Sequence, residues 1–223
     1  KRALDGQVAL AAEVGEVAVE WEPGRARERV RWLDVREGDR SLFLPRAGYV
    51  DSYLFATAYA RAAKARGVEL RTGVEVHELR LEAGRVTGVK TDVGELEAEW
   101  VVNCAGPWAG VLSAQVGCHL PMAPVRSQYW ITEERGEFDT EQPMLFLPDV
   151  PAYTRAEVGG LLFGLRGGVS PARDPRALPS DLGALEFSED PEGWDTLATA
   201  GEALSSFFPL LESVGLAHYV SGP

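Results

Sequence analysis

The sequence predicts a mixed fold, in which an α/β region is followed by antiparallel β-structure with helices. First, residues 100–104 form a short apolar run of strand length, and a helix-like pattern follows at residues 107–116. Second, strand-like segments at residues 74–81, 85–92 and 96–104 are separated by short glycine turns, and the third segment includes this run. Third, residues 125–166 read as short strands that include a hairpin. These patterns indicate a small antiparallel meander inserted into an α/β region, and then a second sheet.

The bulk composition is that of an ordinary globular protein. The 223 residues are 45% hydrophobic and 25% charged, enough for one large domain or two small ones. The net charge of −12 argues against a general nucleic-acid binder, because phosphates would be repelled. No apolar run approaches the roughly 18 residues of a membrane span, and no signal peptide is visible. We therefore expect a soluble, cytoplasmic protein without a membrane span.

The first 46 residues carry weak signals. Residues 8–14 fit either a helix or a strand, and residues 17–21 have the composition of a strand. Residues 22–29 are charged and contain Pro-Gly, which predicts a surface turn. Residues 30–34 are a second short apolar segment without evident chemistry.

A strong helix signal follows. Asp51 is a good N-cap, the alanine-rich residues 52–66 favour a helix, and Gly67 is placed to end it. Phe55 and Tyr59 belong to a narrow apolar stripe, which predicts a helix that lies close against a sheet.

Four strands are predicted before the glycine turn at residue 106, and one is predicted after it. They cover residues 68–72, 74–81 with a bulge, 85–92, 96–104, and 125–132.

The remaining elements continue this second sheet. In chain order they are a strand at 144–147, a hairpin of 152–156 with 161–166, a loop at 171–190, a helix at 192–208 and a strand at 216–220.

The turn after residue 104 is the first candidate for binding. A strand that ends in Ala105-Gly106-Pro107 and opens a helix exposes backbone amides at the helix N-terminus, where an anionic ligand can approach. The alternative is an ordinary tight turn between a strand and a helix. The meander beside it favours a ligand, since a small antiparallel sheet covering a parallel one is typical of flavin-binding folds.

The cysteines and histidines predict neither a metal site nor a disulfide framework. Cys104 and Cys118 are not in a CxxC motif, and the three histidines are scattered. We interpret Cys104 as a small buried residue that closes an apolar strand, without reactive-thiol chemistry.

Several segments taken together resemble the D-amino-acid oxidase superfamily of FAD-dependent flavoenzymes. The branch that they resemble most contains sarcosine and dimethylglycine oxidases or dehydrogenases and glycine oxidase. The segments are G-Y-V-D-S-Y-L-F-A at 48–56, R-T-G-V-E-V at 71–76, V-V-N-C-A-G-P-W-A at 101–109, P-V-R-S-Q-Y at 124–129, and A-Y-T-R-A-E with G-G-L-L-F-G at 152–164.

This resemblance implies a cofactor and a domain organisation. Residues 47–118 would be the second part of a Rossmann-like FAD-binding domain with a β-meander. Residues 119–223, with residues 1–46 as a further segment, would be an antiparallel substrate domain. The adenine and pyrophosphate of FAD would lie near Val74 and near the turn of Cys104, Ala105 and Gly106, and Trp108 would flank the cofactor.

The resemblance also implies a reaction. A hydride would pass from a C–H beside the nitrogen of a secondary or tertiary amine, or of an amino acid, to the flavin, and the imine formed would be hydrolysed. The partner is then a small-molecule amine or amino acid. The alternative is a non-catalytic FAD- or ligand-binding scaffold of the same fold.

The family's opening G-x-G-x-x-G motif, which holds the FAD pyrophosphate, does not occur in these 223 residues. We therefore expect this chain to be an internal fragment of a larger enzyme, and to be inactive by itself.

Tyr153 and Arg166 are the candidate substrate-binding residues. The resemblance places both on strands over the flavin, and both carry groups that can hydrogen-bond a carboxylate. The alternative for each is a solvated strand face. The two are not directly opposite in the predicted hairpin, so sharing one face would need a register slip of one residue.

Overall fold

The computed structural model describes residues 2–165, 172–179 and 191–222, with the side chains of residues 2, 3 and 191 excepted. The described residues form two compact units. The sheet unit contains residues 2–49, 127–165 and 191–222, and the meander unit contains residues 50–126 and 172–179. None of the helices in these ranges is long and apolar enough to cross a membrane.

The sheet unit begins with two helices and a small two-stranded sheet. These are α1 (Arg2–Glu13), β1 (Val19–Trp21), α2 (Pro23–Arg29) and β2 (Ser41–Phe43), and β1 pairs with β2 antiparallel. The helical alternative for residues 8–14 is the one observed. The predicted surface turn at 22–29 is wrong, because Pro23 occupies the first turn of α2, where its missing N–H has no cost, and Ala26 is buried.

The meander unit begins with α3 (Ser52–Ala65), the best-predicted element of the chain. Its N-cap is Asp51, whose Oδ1 accepts a 2.8 Å hydrogen bond from the backbone N–H of Leu54. Gly67, placed to end the helix, has a φ of +86°. α3 buries no residue within this structure, so the predicted packing of its apolar stripe against a sheet is not observed.

A three-stranded antiparallel meander follows α3, as predicted. It consists of β3 (Val76–Glu82), β4 (Arg85–Thr91) and β5 (Gly94–Glu97), in that order. The register shifts between Val76 and Glu78 and again between Arg80 and Leu81, which confirms the predicted bulge.

The predicted strands at 68–72 and 100–104 are not formed, and β5 ends at Glu97. Trp100 and Val102 are 81% and 82% exposed, and Cys104 is exposed too, so the expectation that Cys104 is a small buried residue is wrong. A strand buried on both faces needs neighbouring strands, and within the described residues none pairs with 100–104.

The predicted helix at 107–116 is shorter and divided. A 3₁₀ turn at Gly106–Trp108 precedes α4 (Ala109–Ala114), which spans less than two turns. The side chain of Gln115 joins this segment to β3. Its amide donates to the carbonyl of His77 (2.8 Å), and its Oε1 accepts from the N–H of Leu79 (3.3 Å).

The main sheet of the sheet unit is entirely antiparallel. Its strands are β6 (Ser127–Thr132), β7 (Leu145–Leu147), β8 (Ala152–Glu157), β9 (Gly160–Leu165) and β10 (Leu216–Gly222), in the spatial order β10-β6-β9-β8-β7. Each strand matches a predicted one with shifted ends. α5 (Pro191–Ser205) precedes β10 and ends before the predicted residue 208, and a 3₁₀ turn (Pro209–Glu212) follows it.

One face of this sheet carries the core. Trp130 stacks on Phe163 (5.6 Å between ring centroids) and on Tyr219 (5.5 Å), and Phe163 meets Phe208 edge-on. Trp32, from the apolar segment at 30–34, packs against Phe208 at 5.1 Å. That segment is therefore core, although it forms no strand.

The strands of the main sheet alternate between the core face and an opposite face. In β8, Ala152, Thr154 and Ala156 are buried, whereas Tyr153, Arg155 and Glu157 are half-buried. We call the second side, which carries Tyr129, Tyr153 and Arg155, the tyrosine face.

Candidate functional site

The predicted site residues fall in two places. Val74, Cys104, Ala105, Gly106 and Trp108 belong to the meander unit, and Tyr153 belongs to the sheet unit.

The turn after residue 104 is held by the side chain of Asn103. Its Nδ2 donates to the carbonyl of Ala109 and to Oγ of Ser113, both at 2.9 Å. Its Oδ1 accepts from the N–H of Ala105 at 3.1 Å. One asparagine therefore ties the incoming chain to the first and the fifth residues of α4.

Hydrogen bonds within the turn occupy two of the amides that were predicted to be bare. The N–H of Ala105 bonds to Asn103, that of Trp108 bonds to the carbonyl of Ala105 (3.0 Å), and Pro107 has no N–H. α4 also has only six residues. The described turn therefore does not supply a row of amides for an anion.

Gly106 leaves the outside of the turn uncrowded. Its φ is +51°, in a backbone region that residues with a Cβ rarely adopt. No described atom lies within 4 Å of the position that a Cβ would occupy. A planar group could approach the backbone here without meeting a side chain. Glycine is required by the backbone angle, and not by a neighbouring protein atom.

Val74 and Trp108 are both half-buried and flank irregular backbone. Val74 lies just before β3, and Trp108 ends the 3₁₀ turn. Neither position brings a charged group to the site, so any contact with a cofactor would be through backbone atoms or apolar surface.

These residues leave open space beside the backbone, but they lack the row of free amides that the predicted pyrophosphate contact would need. The open glycine and the indole of Trp108 suit a planar ring or an adenosine, whereas a diphosphate needs several free amide donors. This agrees with the absence of a glycine-rich phosphate loop from the sequence.

The second place is a row of residues across the tyrosine face. The strand register pairs Phe146 with Tyr153, Tyr153 with Gly164, Gly164 with Tyr129, and Tyr129 with Val220. We call these five residues the tyrosine row. Two phenols thus lie on either side of one glycine, on strands roughly 10 Å apart.

Arg155 follows Tyr153 by two residues and shares its face. Its guanidinium lies 4.6 Å from the ring centroid of Tyr49 and forms an ion pair with Glu157. The guanidinium therefore lies over the face of an aromatic ring, and its charge is balanced by the carboxylate.

Arg166 lies outside the described residues. The register pairs Tyr153 with Gly164, and the hairpin turns through Val158 and Gly159, both at positive φ, in a tighter loop than the predicted 157–160.

Sequence reasoning missed Tyr129, Arg155 and Gly164. The alternation of A-Y-T-R-A-E would have placed Arg155 beside Tyr153, since residues two apart share a face. No local signal pairs Gly164 with Tyr129, because that pairing depends on the register of two strands more than thirty residues apart.

Comparison with known proteins connects these features to flavoenzymes. The family model described as "FAD dependent oxidoreductase" (DAO) matches residues 1–222. Human mitochondrial dimethylglycine dehydrogenase is 27% identical over 210 residues, which cover 91% of this chain and 24% of that protein. The mitochondrial pyruvate dehydrogenase phosphatase regulatory subunit of Mus musculus is 28% identical over 205 residues, covering 90% and 23%.

A solved structure supports the fold. L-Proline dehydrogenase from P. horikoshii superposes with a TM-score of 0.78 at 22% identity, covering 99% of this chain and 56% of that one. The chain thus spans about a quarter of the curated relatives and about half of this structural neighbour. These matches confirm the predicted combination of α/β and antiparallel β-structure, and the chain belongs to the DAO family of FAD-dependent oxidoreductases.

Proposed function

We propose that the parent of this chain is an FAD-dependent oxidoreductase that oxidises the C–N bond of a secondary or tertiary amine or amino acid. The observation that carries the proposal is the tyrosine row, which places hydrogen-bonding phenols in line across a sheet face beside an arginine. Membership of the family indicates FAD as the cofactor. The similarity to a dimethylglycine dehydrogenase favours an N-methylated substrate.

The two units receive different roles in this proposal. The meander unit contributes the second part of the FAD domain, with the turn at Cys104, Ala105, Gly106 and Trp108 against the cofactor. The sheet unit is the substrate domain. FAD, when bound, would accept a hydride, which carries two electrons.

Tyr153 is the proposed substrate-orienting residue. A phenol donates one hydrogen bond to a carboxylate, and such a charge-assisted bond is worth about 1.5–3 kcal/mol. Arg166, predicted from the sequence, would add a bidentate contact. Arg155 is a further arginine on the Tyr153 face, but Glu157 already balances its charge.

The reaction is tested on the full-length parent loaded with FAD. Mixing it without oxygen with dimethylglycine or sarcosine should bleach the flavin absorbance near about 450 nm, because the hydride reduces the flavin. Unchanged absorbance with both compounds and with other secondary amines would refute amine oxidation.

The role of Tyr153 is tested by Tyr153→Phe. We expect KM for the N-methyl amino acid to rise about ten- to a hundredfold while the flavin content stays full. Tyr59→Phe is the matched control, since Tyr59 lies on α3 in the other unit. Arg166→Leu and Arg155→Leu, measured in parallel, show which arginine meets the carboxylate.

A second candidate is a non-catalytic scaffold that keeps the fold and binds FAD or another ligand. It is favoured by the similarity to a protein named as a regulatory subunit. Full flavin loading without bleaching by any amine would support the scaffold, and rapid bleaching would exclude it.

A further inference from the structure

The centre of the tyrosine row is a glycine whose side-chain space is filled by a neighbouring ring. If Gly164 carried a Cβ, the three atoms nearest to it would all belong to Tyr153: Cζ, Cε1 and the hydroxyl oxygen. All three would stand well inside van der Waals contact. The ring of Tyr153 therefore crosses from β8 over β9, and its hydroxyl end lies above Gly164.

The backbone does not explain the glycine. Gly164 lies inside a regular antiparallel strand, paired on both sides, and is not among the residues with positive φ. Alanine could adopt this conformation without strain. What alanine could not do is share the space with the ring of Tyr153.

A second glycine of β9 provides the contrast. A Cβ at Gly160 would stand 2.5 Å from the backbone carbonyl oxygen of Thr132. Gly160 is thus required by the approach of two backbones, whereas Gly164 is required by a single side chain.

We infer that Gly164 is a positioning residue that holds the phenol of Tyr153 flat across the sheet and directed toward Tyr129. The inference rests on the proposed role of Tyr153 in the substrate site. Because residue 164 has no side chain, the ring of Tyr153 can lie directly against the backbone of β9. With a methyl group there, the ring must rotate away from the row and carry its hydroxyl with it.

The experiment compares four variants of the full-length, FAD-loaded parent, with dimethylglycine as the probe. They are Gly164→Ala, Tyr153→Phe, the double variant, and Gly160→Ala. We expect Gly164→Ala to raise KM about tenfold, the lower end of the loss of a charge-assisted hydrogen bond, with kcat much less affected.

The double variant separates positioning from a general disturbance. If Gly164 acts through the hydroxyl of Tyr153, adding Gly164→Ala to Tyr153→Phe raises KM no further. Gly160→Ala should lower the melting temperature but leave KM near the wild-type value, because it strains the β9–β6 pairing and does not touch Tyr153.

A crystal structure of Gly164→Ala gives a readout independent of activity. A Tyr153 ring displaced from β9 supports the inference, and an unmoved ring overturns it. A raised KM in Tyr153→Phe with an unchanged KM in Gly164→Ala would also overturn the positioning role. An unchanged KM in Tyr153→Phe would instead overturn the proposed role of Tyr153 itself.

Discussion

Phe208 and Phe55 show that the two units differ in how far they bury a phenylalanine side chain. Both lie at apolar positions of predicted helices, but Phe208 is fully buried in the sheet unit, whereas Phe55 on α3 of the meander unit is 51% exposed. The difference extends to the surroundings. Phe208 meets Trp32, Phe138 and Phe163 edge-on.

The meander unit exposes the residues that a core would normally use. Among its described residues, only Leu79 and Ala109 are buried hydrophobic ones. Its exposed large hydrophobic residues include Val50, Tyr53, Leu54, Phe55, Tyr59, Trp100, Val102 and Met122. On α3, the rings of Phe55 and Tyr59 lie 4.8 Å apart, and neighbouring exposed apolar side chains of this kind normally mark an interaction surface. We therefore expect this surface to be covered in the parent by segments outside these residues, since the chain spans about half of its structural neighbour.

The largest expected effect compares the two phenylalanines directly. In the 223-residue chain, Phe208→Ala should lower the free energy of unfolding by about 3–5 kcal/mol, through lost burial and a cavity. Phe55→Ala should change it by less than about 0.5 kcal/mol. Urea unfolding measures both, and equal losses would remove the distinction between the units.

Repeating Phe55→Ala in the full-length parent tests whether other segments cover the exposed apolar residues of the meander unit. If other segments of the parent bury α3, the loss should rise to about 2 kcal/mol or more. Phe208→Ala serves as the reference, because its loss should be similar in both proteins. A loss for Phe55→Ala that stays below about 0.5 kcal/mol would show that α3 remains exposed in the parent.

Two buried threonines test how much the hydrogen bonds of a buried hydroxyl stabilise the sheet unit. The hydroxyl of Thr132 accepts from the N–H of Leu161 and donates to the carbonyl of Glu133, both at 2.9 Å. Thr132→Val should cost about 1–3 kcal/mol, because it leaves the buried N–H of Leu161 without a partner.

Thr154 is the matched control. It is as buried as Thr132, and its Oγ1 has no hydrogen-bond partner among the described residues. Thr154→Val should therefore be neutral or stabilising by up to about 1 kcal/mol. Chemical denaturation distinguishes the pair, and a loss as large as that of Thr132→Val would contradict the prediction.

A smaller effect concerns order within the meander unit. Asp51→Ala removes the N-cap bond to Leu54 and should weaken α3 by about 1 kcal/mol, whereas Asp51→Asn keeps an acceptor and should change little. Since α3 buries no residue here, the loss should be local. Hydrogen exchange of the α3 amides should accelerate while the exchange of β9 amides stays unchanged.

The smallest effect is a pH dependence in the sheet unit. Arg40 Nε donates to Glu20 (2.6 Å) and Nη1 donates to Asp5 (2.7 Å). The hydrogen bond from Arg40 holds the pKa of Glu20 below its ordinary value of 4.5. Because the folded-state pKa is lowered, the stabilisation is present above about pH 4.5 and is lost as the pH falls through the folded-state pKa.

Melting temperatures across this range test the sign. Arg40→Ala and Glu20→Gln should each melt slightly below the wild-type protein at pH 7, and the three curves should converge in acid. A difference that grows toward low pH would have the wrong sign.

Local sequence signals predicted the elements that depend on local forces. The N-cap at Asp51, the bulged β3 and the β8–β9 hairpin all follow from capping, alternation and turn residues. The helix at Pro23–Arg29 was missed because a charged Pro-Gly segment fits a turn as well as a first helical turn. The run at 100–104 has the composition of a buried strand, but burial also requires partners.

The sequence by itself determined the family, the order of the elements and Tyr153 as a candidate, because these depend on residue types and their spacing. Only the tertiary structure decided that Tyr153 lies over Gly164, in one row with Tyr129, and that Arg155 is paired with Glu157. The physical reason is that a strand's pattern says which residues share a face. Which residues meet across strands depends on a register set by contacts between distant parts of the chain.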